Sequence, residues 1–567
     1  MKNYYLEELS YLRELGAEYA KEHPAIAPLL ASRSTDPDVE RLLEATAFLC
    51  GLVNERLDQN FPEIVQGLLD ITAPHMLKPV PSQTLIQFFP QGQIRGIQHL
   101  HPGNQLDSVE VAGTRCTYTP CHPLDIYPVT GTSTRLLEQR TGEAIVETTI
   151  QACAGLGNWW PGEFTIHVHD TFGSACQWLY LLATRCTRIE IEAESERLVL
   201  GPSALSCELP AWTLFSEDSP LPSATRLRNY FVLPEQYLFL RLAGTATLAR
   251  AAAATRVIVR FFVRAGDIPR HISPNLLQLN VVCATNLLPC SSDPFILRQD
   301  RQEYRLSPQK DSARQLEIHT IRKLTGIRRG QEHHVYEPYT SFREDASAGT
   351  YTVRRKRSQI NGRMEHYVSL LYNGGQGPAD GETLVSELLC FHHTLPLQLH
   401  EGDIRVPTDT SPAMVTFKNI LPPSPAMPAP DDTSLKWRLF SCLHANMLPL
   451  ANTKALKEYL TLWLPAADPD PTRLTLNRER IEAIQDFSCE NEEYLSRGRL
   501  VHGQRLCLKL SGECFARAGE RFLFGLVLDE VLAQYATINT YTRLEVTDLT
   551  SGETLSWKPR LGSRRLM

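Results

Sequence analysis

Residues 36–57 read DPDVERLLEATAFLCGLVNERL, and this stretch decides the N-terminal architecture. Asp36 can cap a helix, because its carboxylate accepts hydrogen bonds from the free N–H groups of the first turn, and Pro37 fits the first helical position. Apolar side chains then recur every three or four residues, which is the spacing of one helix face. They are Val39, Leu42, Leu43, Ala47, Leu49, Cys50, Val53 and Leu57. The pattern predicts a long amphipathic helix that packs against another surface.

Helix predictions also flank this stretch, so we assign residues 1–83 to one helical segment. An earlier helix with Tyr5, Leu9, Leu12 and Tyr19 near one face is expected to end at His23-Pro24, and Phe61-Pro62-Glu63 predicts the start of a further helix. A segment of about 80 residues has little interior of its own. We therefore expect residues 1–83 to form part of a core shared with other subunits.

The rest of the chain predicts strands first and a mixture of helices and strands later. Short runs of branched and aromatic residues separated by turn residues predict a β-sandwich-like domain over 84–268 and a second β-rich domain over 269–420. Residues 421–432 hold five prolines and predict an extended linker or surface crossing, and 433–567 predicts a mixed α+β domain. The fold class is α+β: a helical segment, β-sandwich-like modules and a mixed α/β C-terminal domain.

Three local predictions concern the C-terminal domain. Asn452 is placed to cap a helix, and Glu520–Tyr535 has the apolar content of another. The runs Arg543–Asp548 and Thr554–Trp557 flank a short turn, which predicts a hairpin.

Composition excludes some classes of protein. Lys and Arg total 57 against 64 Asp and Glu, a net charge of −7, which gives no reason to expect a nucleic-acid partner. The 14 cysteines include no C-x-x-C spacing, so we expect reduced thiols rather than disulfides. No uncharged apolar run reaches the ~18 residues of a membrane span, and the acidic start does not resemble a secretory signal. We expect a cytoplasmic protein.

The sequence contains none of the motifs G-x-x-x-x-G-K-[ST], G-x-G-x-x-G, H-E-x-x-H and G-x-S-x-G. His167 and His169 would share one face of a strand, as two ligands of one ion must, yet the alternation around them equally fits a half-exposed strand. The acidic pairs Asp431-Asp432 and Asp468-Pro469-Asp470 are expected to be solvated surface charge. We assign no catalytic residue, no metal and no cofactor.

One basic cluster, Arg354-Arg355-Lys356-Arg357, could contact phosphate groups. An exposed loop or a protein interface is the favoured interpretation, because little aromatic interleaving is present for base stacking. Two alternatives to an interaction scaffold stay open: a β-sandwich carbohydrate-active enzyme, and a nucleic-acid-binding protein that uses this cluster.

Several motifs together resemble one family, the TssF (VasA or ImpG) baseplate subunits of type VI secretion systems. The N-terminal matches are Tyr4-Tyr5, Glu8-Leu9, Asp36–Leu43, Phe48-Leu49, Phe61-Pro62-Glu63 and Pro79–Ser82. The C-terminal matches are Tyr535–Asn539, Gly552-Glu553, Trp557–Arg560 and Gly562. The run at 36–43 is specific, whereas no single C-terminal fragment is.

The resemblance implies a structural, non-enzymatic role. Two TssF copies are expected to join one TssG in a wedge that also binds TssK and TssE and surrounds the VgrG spike hub. Such a wedge would be recruited peripherally to the inner membrane through the membrane complex and would prime sheath assembly. The residues expected at protein interfaces are Tyr4, Tyr5, Leu9, Val39, Glu40, Arg41, Leu42, Leu43, Leu49, Val53, Phe61, Asn539, Trp557 and Arg560.

Overall fold

The structure is a computed structural model that describes most of the chain. It describes residues 2–22, 37–72, 74–92, 94–138, 142–194, 196–207, 209, 222–264, 266, 268–269, 271–298, 301–309, 316–327, 333–339, 349–358, 363–371, 382–430, 433–444, 452–465, 470–496, 499–536 and 540–562. Two compact units divide it: a helical unit, Met1–Leu77 with Pro430–His444, and a large unit, Lys78–Ala429 with Ala445–Met567.

The α-helices of the described residues belong to both units. They are α1 (Lys2–Glu22), α2 (Pro37–Thr72), α3 (Phe172–Arg185), α4 (Pro222–Val232), α5 (Thr433–His444), α6 (Thr453–Leu462), α7 (Pro471–Glu482) and α8 (Ala518–Ala533). Of these, α1, α2 and α5 form the helical unit, in which α2 packs against both of the others.

Helix α2 begins at Pro37, as the sequence predicts, although Asp36 and the stop at His23-Pro24 lie outside the described residues. The prediction of a new helix at Phe61 is wrong, because α2 runs through Pro62 to Thr72 without interruption. The fixed φ of proline is compatible with a helix, but proline has no backbone N–H, so the helix loses one hydrogen bond there. Apolar packing on both sides of Pro62 outweighs that loss: Ala47 precedes it, Val65 and Leu69 follow it, and all three are fully buried.

The strands, β1 to β30 in chain order, lie in the large unit. They are Gln83–Pro90, Gln98–Leu100, Leu106–Val111, Thr114–Pro120, Leu124–Ile126, Val129–Glu138, Glu143–Ala152, Glu163–Val168, Cys186–Ala193, Glu196–Leu200, Leu205–Ser206, Phe239–Ala243, Arg256–Arg264, Leu277–Gln278, Val281–Thr285, Leu288–Ser291, Phe295–Ile296, Tyr304–Leu306, Leu316–Ile327, His334–Pro338, Thr350–Arg357, Met364–Leu371, Thr383–His392, Ile404–Pro407, Val415–Asn419, Ile484–Ser496, Arg499–Leu510, Thr540–Asp548, Thr554–Ser556 and Arg560–Leu561.

The first large sheet joins segments that are far apart in the sequence. Its order is β24-β3-β4-β15-β1-β25, with β1 antiparallel to β15 through Ile86 and Val282 and to β25 through Phe88 and Phe417. Alternate side chains of these strands are buried in one core. This sheet crosses the domain boundary that the sequence predicts at 268/269, because register between distant strands is not visible in local patterns.

Two further sheets, β10-β9-β13-β7-β6 and β11-β12-β8-β14, line the two sides of an apolar cavity of about 20 Å³.

Asn280 lies beside these two sheets with φ +59°. Its side-chain oxygen accepts from the Tyr127 N–H and its amide donates to the Tyr127 carbonyl, both at 2.9 Å. An asparagine in the left-handed region thus fixes a neighbouring chain segment.

The five-stranded sheet carries a row of ion pairs. The Glu147 side chain is 3% exposed and accepts from Arg135 at 2.5 Å and Arg260 at 2.8 Å, and Arg260 reaches Glu192 at 2.6 Å. Burial favours the neutral carboxyl, but hydrogen bonds from Arg260 and Arg135 outweigh it and lower the pKa of Glu147.

The eight-stranded sheet has the order β16-β23-β19-β20-β21-β22-β18, with β17 also on β23.

The described part of the proline-rich stretch at 421–432 is extended, but residues 423–427 are buried rather than exposed. Val80 and Met427 exchange backbone hydrogen bonds, and the Ser424 hydroxyl accepts from the Gln83 N–H at 3.0 Å. The prolines therefore shape a strand-like segment packed against residues 80–83.

The C-terminal part of the large unit surrounds α8, most of whose side chains are buried. The sheet β26-β27-β28-β29, with β30 also on β28, contains the hairpin predicted from Arg543–Asp548 and Thr554–Trp557, and its strands run over Thr540–Asp548 and Thr554–Ser556. Asn452 caps α6 as predicted, accepting from the Ala455 N–H at 2.9 Å. The α+β fold class is confirmed, whereas α3 and α4 were missed inside a region predicted as strands.

No helix among the described residues combines the length and the apolar character needed to cross a membrane. The cysteines in the same part of the chain are free thiols.

Candidate functional site

The buried face of α2 holds the helical unit together. Ala47, Val65 and Leu69 are fully buried, and at about 100° per residue they lie within roughly 40° of one another around the helix. Leu9 of α1 and Leu439 of α5 are also buried. Lys436 of α5 donates to the Gln66 side chain of α2 at 3.3 Å. This face therefore supplies the interior of the unit.

The opposite face of α2 is also apolar, and it is exposed. Leu42, Leu49 and Val53 are 67%, 62% and 56% exposed. Their spacings of seven and four residues place them within about 40° of one another and roughly 160° from the buried face. We call these three residues the α2 stripe. A helix that is apolar on two opposite sides is typical of one buried on both, and the helical unit covers one side.

Helix α1 presents a second exposed apolar row. Tyr11, Leu15 and Tyr19 are exposed and follow one another at four-residue spacing, which aligns them along one side of the helix. Leu6 of α1 and Trp437 of α5 are exposed as well. Tyr11, Leu15 and Tyr19 are not among the residues predicted at an interface, although their four-residue spacing is visible in the sequence.

The charged residues beside the α2 stripe have different partners. Glu40 pairs with Arg13 of α1, which makes it a bridge inside the helical unit. Arg41 is exposed and lies 3.7 Å from Asp38, one turn earlier on the same helix. An exposed pair at this spacing contributes a few tenths of a kcal/mol.

The remaining N-terminal residues expected at interfaces divide into two groups. Tyr5, Val39 and Leu43 are half-buried, and Leu9 is buried, so these four lie nearer the interior of the helical unit than the α2 stripe does. Tyr4 and Phe61 lie on α1 and α2, but their side chains are outside the described part of the structure. Asn539 is also outside it.

Trp557 and Arg560 have partners inside the large unit. The Trp557 indole stacks on Phe522 of α8 with ring centroids 5.9 Å apart and planes at 20°. A Cβ on Gly525 would lie 2.4 Å from that indole, so this close packing requires a glycine. Arg560 Nε donates to the buried carboxylate of Asp529, also on α8. Both side chains thus fasten the C-terminal strands to α8.

The family model for the type VI secretion system protein TssF matches residues 1–564. The chain belongs to the TssF family. The resemblance seen in the sequence is thereby confirmed across nearly the whole chain. Among curated relatives, component TssF1 of Pseudomonas aeruginosa is 27% identical over 634 aligned residues, which cover 99% of this chain and 98% of the relative.

Two solved structures share the fold of this TssF-family chain. One is the type VI secretion TssK-TssF-TssG baseplate subcomplex determined by cryo-electron microscopy, with a TM-score of 0.78 and 22% identity over 93% of this chain and 99% of the matched chain. The other is the baseplate complex from the type VI secretion system, with a TM-score of 0.63 and 20% identity over 100% of both chains.

The basic cluster of this TssF-family chain lies on strand β21, so the prediction of an exposed loop is wrong. Arg354 and Lys356 both contact Glu303, at 2.7 Å and 2.5 Å, and these contacts offset part of the cluster's charge. The Arg357 side chain lies outside the described part of the structure.

The half-exposed interpretation placed His167 on the solvent side of its strand, and this prediction is wrong. It is buried, with its ring centroid 4.9 Å from that of Phe239, and burial with the neighbouring His169 lowers the pKa of His167 to about 3. A neutral, buried imidazole fills core space here. In the described residues, no three His, Cys, Asp or Glu side chains are grouped closely enough to hold a metal ion.

The acidic pairs offer no glycosidase geometry within the described residues. Asp470 caps α7 by accepting from the Thr472 N–H at 3.0 Å, and Asp431, Asp432 and Asp468 fall outside the described ranges. A buried ion pair that was not predicted from the sequence joins Arg480 of α7 to Glu520 of α8 at 3.2 Å. The two residues lie 40 positions apart in the chain.

Proposed function

We propose that this chain is a structural subunit of a type VI secretion baseplate and that its helical unit joins it to other subunits. The α2 stripe is the observation that supports this role most strongly. Three large aliphatic side chains on the face opposite the unit's own core gain free energy when another helix covers them. Family membership supports the same role.

The partners that we propose follow from the relatives. The solved subcomplex is named for TssK, TssF and TssG, and we propose that this chain assembles with TssG and TssK in the same way. We extend the proposal to a second copy of this chain for each TssG, to TssE and to the VgrG hub. The resulting wedge would lie in the cytoplasm, be recruited to the inner membrane through the membrane complex and prime sheath growth.

The seven-residue spacing of Leu42 and Leu49 fits a partner that is itself a helix. Side chains seven apart return to almost the same side of a helix after two turns, which is the pattern of helices packed side by side. We therefore assign the α2 stripe to a helix–helix contact with TssG or with the second copy. The proposed assembly role of residues 1–83 rests on this contact, and we propose no catalytic step.

The experiment is capture of co-expressed TssG by the double variant Leu42→Asp with Leu49→Asp. Full burial of a leucine contributes about 1.5–3 kcal/mol, so covering the exposed two-thirds of each contributes about 1–2 kcal/mol. Losing both removes about 2–4 kcal/mol, which lowers the affinity by roughly 30- to 700-fold. The expected result is complete loss of capture with an unchanged circular dichroism spectrum.

The matched control is Leu476→Asp, because Leu476 is an exposed leucine on α7 in the large unit. This control should capture TssG at the wild-type yield. A folded double variant that still captures TssG at that yield would contradict the proposed role of the α2 stripe.

A further inference from the structure

The Arg228 guanidinium is held at one nitrogen while its other two nitrogens have no hydrogen-bond partner. Arg228 lies on α4, and its Nη1 donates to the Lys78 carbonyl oxygen at 3.3 Å. Its Nε and Nη2 are shielded from solvent and unpartnered within the described residues. Nε–H and Nη2–H point in the same direction, and this edge of a guanidinium binds both oxygens of one carboxylate or phosphate group.

Further positive charge acts on a neighbouring side chain, the imidazole of His319. The buried His319 imidazole of β19 interacts with the backbone at Pro79, the residue next to the carbonyl that holds Arg228. The pKa of His319 lies well below its usual range, mainly because the imidazole is buried. The positive charges of Lys78, Arg228 and Arg355 lower it further. The imidazole is therefore neutral, and three basic side chains act on it.

No carboxylate in the described part of the chain acts on Arg228. Burial lowers its pKa to about 10, and no opposing influence from a described acidic group accompanies this shift. Guanidinium keeps its proton at neutral pH, so Arg228 cannot relieve the cost by becoming neutral. A buried cation without a counter-charge costs several kcal/mol, whereas an apolar side chain of similar length would cost little. An arginine is favoured at this position only when a bound anion supplies the missing counter-charge.

We propose that the Nε–Nη2 edge of Arg228 is a binding site for one oxyanion, a phosphate or carboxylate group. The anion would receive two parallel hydrogen bonds from Arg228. It would also lie beside α4 and residues 78–79, near His319 of β19, and would therefore stabilise the packing of these three elements.

The test is equilibrium binding of inorganic phosphate and of acetate to the purified full chain at constant ionic strength in chloride buffer. The expected result is one bound anion per chain that also raises the melting temperature. The relative affinities of phosphate and acetate identify which oxyanion the site prefers. Arg228→Met should lower that affinity at least 10-fold, and its melting temperature should no longer respond to either anion.

Two controls keep the outcome decisive. Arg228→Lys retains the charge and loses the bidentate edge, so it should fold and bind at least 10-fold more weakly. Arg241→Met removes an exposed arginine that pairs with Glu163 at 2.5 Å, and should bind as the wild type does. The proposal is overturned if the wild type binds neither anion, or if Arg228→Met and Arg228→Lys bind as tightly as the wild type.

Discussion

The ion pair between Arg560 and Asp529 allows a test of whether Arg560 binds another protein or fastens the C-terminal strands to α8. The sequence assigns Arg560 to a protein interface, whereas the structure gives it a buried partner on α8. The Asp529 side chain is 1% exposed and that of Arg560 is 34% exposed. Removing one member of a buried pair costs about 3–5 kcal/mol, because the other charge is left without compensation. Since Arg560 is partly solvated, we expect Arg560→Ala to cost about 3 kcal/mol, roughly a 100-fold change in the folding equilibrium.

The pH dependence of this loss has a definite sign. Burial raises the pKa of Asp529, and the ion pair with Arg560 opposes that rise. Arg560→Ala removes the opposing influence, so the pKa rises further. A carboxyl whose pKa is higher in the folded state than in the unfolded state supports folding at low pH and loses that support as pH rises through the folded pKa. The variant should therefore lie closer to the wild type at pH 5 than at pH 8.

Urea unfolding followed by circular dichroism at both pH values measures this effect. Lys558→Ala is the control, because it removes an exposed positive charge two residues away and should leave the midpoint unchanged. Adding Asp529→Asn to Arg560→Ala should recover much of the loss at pH 8. If Arg560→Ala keeps the wild-type midpoint at both pH values but loses partner capture, Arg560 is an interface residue and the intramolecular assignment is wrong.

Substitutions at Gly525, Asn280 and Glu147 further test packing and charge through their effect on stability. Gly525→Ala forces a Cβ to within 2.4 Å of the Trp557 ring and should cost about 1–3 kcal/mol by thermal melting, whereas Gly67→Ala, with nothing within 4 Å on α2, should stabilise by about 0.5–1 kcal/mol. Asn280→Ala loses two backbone hydrogen bonds at a positive φ and should cost about 3 kcal/mol; Asn280→Gly removes the backbone strain and should recover about 1 kcal/mol of it. The pKa of Glu147 is lowered, so its contribution is present above about pH 4.3 and is lost as pH falls through its folded pKa; Glu147→Gln should flatten acid unfolding curves in that range.

Local signals in the sequence predicted the helix start but not which side of the helix faces inward. Pro37 and the spacing from Val39 to Leu57 identify α2 correctly. The same list of apolar residues mixes the buried Ala47 with the exposed Leu42 and Leu49. Separating them requires knowing what packs on α2, and one of its neighbours, α5, comes from residues 433–444. Contacts between segments so far apart in the sequence cannot be predicted from the spacing of apolar residues within either segment.

The β-rich part shows the same limit. Strand β1 was visible as a run of branched and aromatic residues, but its neighbours β15 and β25 lie about 200 and 330 residues later. Trp557 and Arg560 carried family motifs, and sequence alone could not reveal that Phe522 and Asp529 hold them inside the large unit. Residues in a turn or cap, such as Asn452, were predictable because their partners lie within three or four positions.

The measurement that tests the assembly role most directly is affinity purification of the chain from its native host, with the captured proteins identified and quantified by mass spectrometry. The wild type should recover TssG at about half its own molar amount, together with TssK. The folded variant with Leu42→Asp and Leu49→Asp should recover neither. A wild type recovered without TssG, or a variant that recovers TssG at the same ratio, would contradict the proposed assembly role.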